Sequence, residues 1–218
     1  MSANPEEKTI NGTTTRAFFN ERSAHWSEER KTYFSDDVRS YVVDLGQFQP
    51  TDTVMDFGAG SGFLTEALLE GGLSKVIVAD ISPNMLAEIG KNPRLGGKVE
   101  MRVAEENGLP AQEGELDGIV TNMVLHHLTS PAQFFIDAKK SLKPSGKLIV
   151  TDLIEHTQFD FQKEQHDRWP GFSIMQIEDW MRNAGFSSYT AGKVGKKCCG
   201  SVVGAAGGFD VFYALGVR

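Results

Sequence analysis

From residue 51 onward, apolar residues fall in short runs that alternate with stretches of helical spacing. Strands are predicted over residues 53–57, 75–80, 98–103, 116–121 and 147–151, with helices over 63–70, 84–89 and 132–142. That rhythm belongs to a parallel sheet wrapped by helices on both faces, a doubly wound α/β core. After residue 152 the pattern changes: a polar stretch reaches Trp169-Pro170-Gly171, a helix is predicted around residues 177–184, and Gly185-Phe186 leads into another strand. The run from Phe209 to Val217 is strongly β and follows that strand without an intervening helix, so a hairpin closes the sheet with its last strand antiparallel. Within the hairpin, six of the seventeen residues from Gly192 to Gly208 are glycine, which predicts a mobile loop. Upstream, residues 15–34 carry Phe18, Phe19 and Trp26 among many charges, and Ser35-Asp36-Asp37-Val38 reads as a cap opening a second helix through Leu45. Two helices therefore precede the first strand, and residues 1–13 are polar and expected to fray. The division expected is a helical cover over residues 1–50 on a core over 51–218, within one structural domain.

Composition narrows the function. The 218 residues are 40% apolar, 23% charged and 10% aromatic, which suits one folded core and excludes wholesale disorder, collagen and coiled coil. Twenty-two Lys+Arg against 29 Asp+Glu give a net charge of -7, so the positive footprint of a nucleic-acid binder is missing. Apolar runs such as Val76 to Ala79 fall far short of the ~20 residues of a membrane span, and the polar first residues do not resemble a secretory leader. A cytoplasmic address and a small-molecule partner are expected, with no nucleic acid and no membrane, and the oligomeric state is left open. The two cysteines, Cys198 and Cys199, are adjacent; a disulfide between neighbours strains the intervening peptide, so a reducing compartment suits them.

The first strand runs into Asp56-Phe57-Gly58-Ala59-Gly60-Ser61-Gly62, placing Asp-x-Gly-x-Gly-x-Gly at a strand-to-helix turn. Glycines there let the backbone approach a ligand and offer helix-N-terminal NH groups. The dinucleotide pattern Gly-x-Gly-x-x-Gly is not completed, because Phe63 or Thr65 occupies its third position. A carboxylate at Asp56 would also repel a pyrophosphate, so the ligand should offer a cation. Eighteen residues beyond Gly62, Asp80 ends the second strand, where an acid can accept from both ribose hydroxyls of a nucleoside.

On these residues the chain resembles the class I S-adenosylmethionine-dependent methyltransferases, particularly the small-molecule group of the ubiquinone and menaquinone biosynthesis enzymes. The resemblance runs from about residue 50 to 153 and continues through Ala104-Glu105-Glu106-Asn107-Gly108-Leu109-Pro110, Leu116 to Asn122, Leu125-His126-His127-Leu128 and Leu142 to Leu148. It implies a seven-stranded Rossmann-like sheet under an N-terminal helical cover, and S-adenosyl-L-methionine as cofactor. Carried over, Asp56 and Gly58, with Gly60 and Gly62 of the same loop, hold the methionine end; Asp80 takes the ribose, and Ile81 flanks the adenine. Ala104 and Glu105 meet the adenine edge, and Thr121 or Asn122 presents a carbonyl to the ammonium. Where relatives place an Asp for the adenine amino group, this chain has Val103, so Glu105 substitutes or that bond is absent; Glu105 and Glu106 also read as a solvated acidic loop.

A sulfonium methyl is already activated, so transfer needs a nucleophile held in line and a base only if that nucleophile is protonated. His126 and His127 follow the fourth strand at the sheet's carboxyl edge, where one is a candidate base, against packing beneath the cofactor or capping a turn. Asp152, a third catalytic candidate, ends the fifth strand on the same edge with His156 just beyond; both read equally as loop groups satisfying backbone NH. In the family the N-terminal helices shape the acceptor pocket, which points to His25, Trp26 and Tyr33, with His156 joining them from the sheet edge. No metal site is read from the sequence. Vicinal thiols at Cys198-Cys199 suggest a soft metalloid acceptor, against two small residues at a strand end. The reading is methyl transfer to a small molecule; the alternatives are a non-catalytic S-adenosylmethionine-binding partner subunit and a methyltransferase acting on a protein, tRNA or metalloid.

Overall fold

The computed structural model describes residue 10 and residues 12–33, 37–95, 97–106, 108–158, 162, 164–198 and 208–218. Among these residues seven strands form one sheet: β1 (Val54–Phe57), β2 (Val76–Asp80), β3 (Val99–Val103), β4 (Leu116–Asn122), β5 (Leu142–Leu153), β6 (Ser188–Cys198) and β7 (Phe209–Val217). Their order is β3-β2-β1-β4-β5-β7-β6. The first five run parallel, β7 pairs antiparallel with both β5 and β6, and β6 therefore points the same way as the others. The doubly wound sheet with its antiparallel last strand is as the sequence predicts.

The helices are α1 (Thr15–Arg22), α2 (Trp26–Glu29), α3 (Asp37–Gly46), α4 (Phe63–Glu70), α5 (Pro83–Lys91), α6 (Pro131–Ser141) and α7 (Ile174–Ala184), with 3-10 turns at Arg30–Thr32 and Leu125–His127. The single helix expected over residues 15–34 is thus broken into α1, α2 and a 3-10 turn. At the break, the Ser23 hydroxyl donates to the Asn20 carbonyl at 3.0 Å, a local bond that competes with helix continuation. Asn20 is also tied elsewhere: its side-chain oxygen accepts from Ser82 Oγ at 2.7 Å, fixing α1 against the start of α5. The cap expected at Ser35-Asp36 lies outside the described residues, as do Cys199 and residues 201–207 of the expected glycine loop. The earlier part of that loop, Gly192 to Cys198, instead continues β6 with a register shift between Lys193 and Lys197, because β7 offers an antiparallel partner along most of its length.

Parallel strands buried on both faces send alternate residues to opposite cores. Met55 and Phe57 join Ile77, Phe135 and Phe212 on one face, while Val54 joins Val76, Leu64 and Ile89 on the other. Val42 of α3 belongs to the second cluster, so α3 packs into the core layer rather than over the sheet edge. Phe135 is fully buried, with the Phe134 and Trp180 rings each 5.8 Å away. Phe135→Ala is expected to lower stability by about 3–5 kcal/mol, read from the midpoint shift of urea denaturation, since the surrounding strands cannot collapse into the space.

Candidate functional site

Strand order reverses between β1 and β4, and in open α/β sheets the crevice at such a reversal, beyond the carboxyl ends of the strands, is where ligands bind. A cavity enclosing about 910 Å³ of space, part of it open to solvent, occupies that position. The ends of four strands reach it: Asp56 and Phe57 from β1, Asp80 from β2, Ala104 just past β3, and Asn122 from β4.

The turn from β1 into α4 forms one wall. It is pinned to β2 by the amides of Gly58 and Ala59, which both donate to the Ala79 carbonyl, at 2.8 and 3.1 Å. Gly58 has φ +72°, and a Cβ there would overlap the methyls of Val124. Gly60 has φ +53°, and a Cβ there would lie 2.9 Å from Trp26 Nε1. Only glycine fits this path, and the result is bare backbone facing the cavity. Gly62 does not reach the cavity; it caps the N-terminus of α4 from a left-handed conformation.

Both acids of the sequence motif are buried. Asp80 accepts from the Gly60 and Ser82 amides, each at 2.8 Å, and Asp56 accepts from Thr65 Oγ1 at 2.6 Å. Burial pushes Asp56 up to about 7 and Asp80 up to about 6, against an ordinary 3.8. In the free protein the folded state therefore holds these protons to higher pH than the unfolded chain. The stability that protonation contributes is fully present below about pH 4 and is lost as pH rises through 6 and 7. These two groups should lower the unfolding free energy of ligand-free protein by about 2–4 kcal/mol between roughly pH 5 and pH 8. Thermal unfolding across that range checks it, and Asp56→Asn should flatten the slope.

The other predicted residues divide. Ile81, Ala104, Glu105 and Asn122 line the cavity. Glu105 turns its side chain outward, 82% exposed, to an ion pair with Arg16 of α1 at 3.2 Å. Thr121 is fully buried behind the wall and does not line the cavity. Trp26 and His127 line it, whereas Tyr33, His126, Asp152 and His156 do not. Tyr33 packs against Leu153, Cys198, Phe209 and Val211, and His156 stacks on Phe209 with ring centres 4.1 Å apart. His25 is exposed and stands at the start of α2. Cys198 is buried in that same apolar cluster rather than presented at a loop.

His126 and Asp152 lie beneath the floor. Asp152 Oδ1 sits 2.5 Å from His126 Nδ1 and also accepts from the Leu153 amide, while Oδ2 accepts from the Val124 amide at 3.1 Å. His127 lies one residue on, its Nδ1 3.2 Å from the His166 carbonyl. Burial first, and the neighbouring His126 second, push His127 well below the usual histidine range, so its imidazole is neutral near pH 7.

Phe19 of the expected cover and Glu106 of the 104–110 loop also line the cavity, whereas Arg30, Phe63, Met85 and Met123 escaped sequence reading. Glu106 is held by Arg168 at 2.5 Å, and Arg168 Nε also donates to the His127 carbonyl at 3.0 Å. Arg30 lies over the Phe63 ring, 4.3 Å from its centre. Partners such as Arg30 and Phe63, 33 residues apart, or Glu106 and Arg168, 62 apart, leave no local spacing to read.

Residues 55–150 match the family model of the methyltransferase domain. The chain is 28% identical over 147 residues to the arsenite methyltransferase of Halobacterium salinarum, covering 60% of this chain and 38% of that protein. It is 27% identical over 125 residues to the ubiquinone/menaquinone biosynthesis C-methyltransferase UbiE of Hahella chejuensis, covering 55% of this chain and 50% of that one. The chain thus spans half the length, or less, of these curated relatives. Among solved structures it resembles Haemonchus contortus phosphoethanolamine N-methyltransferase 2 in complex with phosphomonomethylethanolamine and S-adenosylhomocysteine. There the TM-score is 0.76 at 16% identity, with 95% of this chain and 61% of that chain covered, which shows the fold. The three names carry three different acceptors, so the match identifies the domain and not the subgroup. Strand order, glycine turn and family match agree, and residues 55–150 are similar to the methyltransferase domain family.

Proposed function

We propose that the protein transfers a methyl group from S-adenosylmethionine to a small organic acceptor. The observation that carries this reading is the pairing, in one cavity, of a turn that admits no Cβ at Gly58 or Gly60 with two buried carboxylates. When bound, S-adenosylmethionine supplies a methyl already activated on a sulfonium. Asp80 would accept from the ribose hydroxyls, its two oxygens keeping lone pairs beyond those used by Gly60 and Ser82. Asp56 with the Gly58 turn would hold the methionine end, and Ile81, Ala104 and Glu105 would flank the adenine, Glu105 through its backbone. Asn122 is the better placed of the two candidates for the ammonium, since Thr121 is buried away from the cavity.

Among the three catalytic candidates, His127 alone lines the cavity, and with Nδ1 at the His166 carbonyl its Nε2 is the nitrogen left to face an acceptor. His126 and Asp152 act through the floor and are positioning residues. Phe19, Trp26 and Phe63 make the wall largely aromatic, which favours an apolar acceptor, quinone-like or similar. A metalloid acceptor is less well served: arsenic(III) generally takes three thiolates, the chain has two cysteines, and Cys198 is buried. The deciding experiment is formation of S-adenosylhomocysteine by the full chain against a panel of phenolic, quinol and amine acceptors, with arsenite and a protein extract alongside. Tight cofactor binding with no turnover on any acceptor would favour the non-catalytic partner subunit instead.

A further inference from the structure

At the cavity floor His126 and His127 belong to a polar cluster whose remaining member, Asp167, has no part in the methyl-transfer reading. The cluster joins the turn after β4, which carries His126 and His127, to the segment before α7, which carries His166 and Asp167. Asp167 is 4% exposed, and its Oδ1 is buried without a hydrogen-bond partner. That oxygen faces His126 Nε2 at 3.5 Å and His127 Nδ1 at 3.6 Å, beyond hydrogen-bond reach in both directions. A buried carboxylate oxygen left so is a state that proteins avoid. The two separations from Asp167 are close to those of neighbouring ligands on one cation: bonds of about 2.0–2.2 Å in tetrahedral array set donors roughly 3.3–3.6 Å apart. One donor atom from each of His126, His127 and Asp167 fits within 4.8 Å of the others.

We propose that His126 Nε2, His127 Nδ1 and Asp167 Oδ1 bind a borderline divalent transition-metal ion, zinc in the first instance. Two imidazoles and one carboxylate are the donors such an ion prefers, and no thiolate is involved. The surroundings supply what ligating histidines require. His126 turns its other ring nitrogen to Asp152 at 2.5 Å, the carboxylate–histidine–metal relation that fixes tautomer and ring orientation. Asp152 is itself held by the Leu153 and Val124 amides. Without metal, a proton on His127 Nδ1 is donated to the His166 carbonyl; on binding, the metal replaces that proton, and one proton leaves to solvent. Water would supply the fourth donor of a tetrahedral site. The site does not depend on the identity of the cofactor or the acceptor. Its effect is positional: it would fasten residues 166–168 to the turn bearing His127, and so hold a cavity wall to which Arg168 and Phe18 also attach, Phe18 stacking on His166 at 4.9 Å.

The test uses the full chain, stripped with chelator and titrated with zinc sulfate, then with cobalt(II) chloride as a spectroscopic probe. Expected are one equivalent of zinc bound with a rise in Tm, proton release, and cobalt d–d bands of a nitrogen–oxygen site without thiolate charge transfer. Asp167→Asn and His126→Gln should each weaken zinc binding by at least about a hundredfold, and Asp152→Asn by about 10–100-fold. Cys198→Ser should change nothing. His127→Gln serves if Asp167→Asn fails to fold, and the wild-type cobalt spectrum needs no variant. Absence of stoichiometric binding, affinity unchanged in the ligand variants, or a thiolate band removed by Cys198→Ser would each overturn the site and leave a metal-free ionic cluster.

Discussion

Replacing Asp80 with Ala is expected to weaken S-adenosylmethionine binding by about a hundredfold while leaving the sheet folded. Two hydroxyl hydrogen bonds to an ionised, buried carboxylate would be lost at about 1.5–3 kcal/mol each, and their losses need not add. Asp80 also holds the Gly60 and Ser82 amides, so the alanine variant loosens the glycine turn as well. Asp80→Asn separates the effects, because it keeps an acceptor oxygen but not the charge, and should fall between the alanine variant and wild type. Because burial raises Asp56 and Asp80 to about 7 and 6, wild-type affinity should rise as pH climbs through that range and both carboxylates ionise. Calorimetry checks both points; wild-type affinity in Asp80→Ala would remove the ribose assignment.

Removing residues 1–34 should abolish methyl transfer, a fall of at least about a thousandfold, with cooperative unfolding retained. Phe19, Trp26 and Arg30 line the cavity, Trp26 against Gly60 and Arg30 over Phe63, and without them water enters and the acceptor is no longer held in line. A misplacement of about 1 Å alone can cost a hundredfold. α3 remains in the truncated chain and keeps Val42 in the core, so the sheet retains that cover. Trp26→Ala should lower transfer with little change in stability, since Trp26 is not among the buried core. Full activity in the truncated chain would show that residues 1–34 do not shape the acceptor pocket.

By itself the sequence determined the sheet and the ligand-facing turn. Both are governed by rules local in the chain: period-two burial for strands, 3.6-residue spacing for helices, and glycine where a left-handed backbone meets close approach. Helix α4 was legible to the residue because glycines bound it at both ends, and Asp56 and Asp80 were legible because strand termini mark the ligand edge. What lay beyond local rules was decided by packing. The break in the first helix comes from Ser23 bonding the Asn20 carbonyl while the Asn20 side chain docks at the start of α5, and the extension of β6 past Gly192 comes from β7 lying alongside it. The two histidines are adjacent in sequence and their rings lie 4.1 Å apart, yet only His127 lines the cavity while His126 is buried against Asp152. Asp167 carries no motif at all; only the fold brings it across some 40 residues to face both imidazoles, because contacts between distant segments depend on tertiary geometry and leave no periodic trace in the chain.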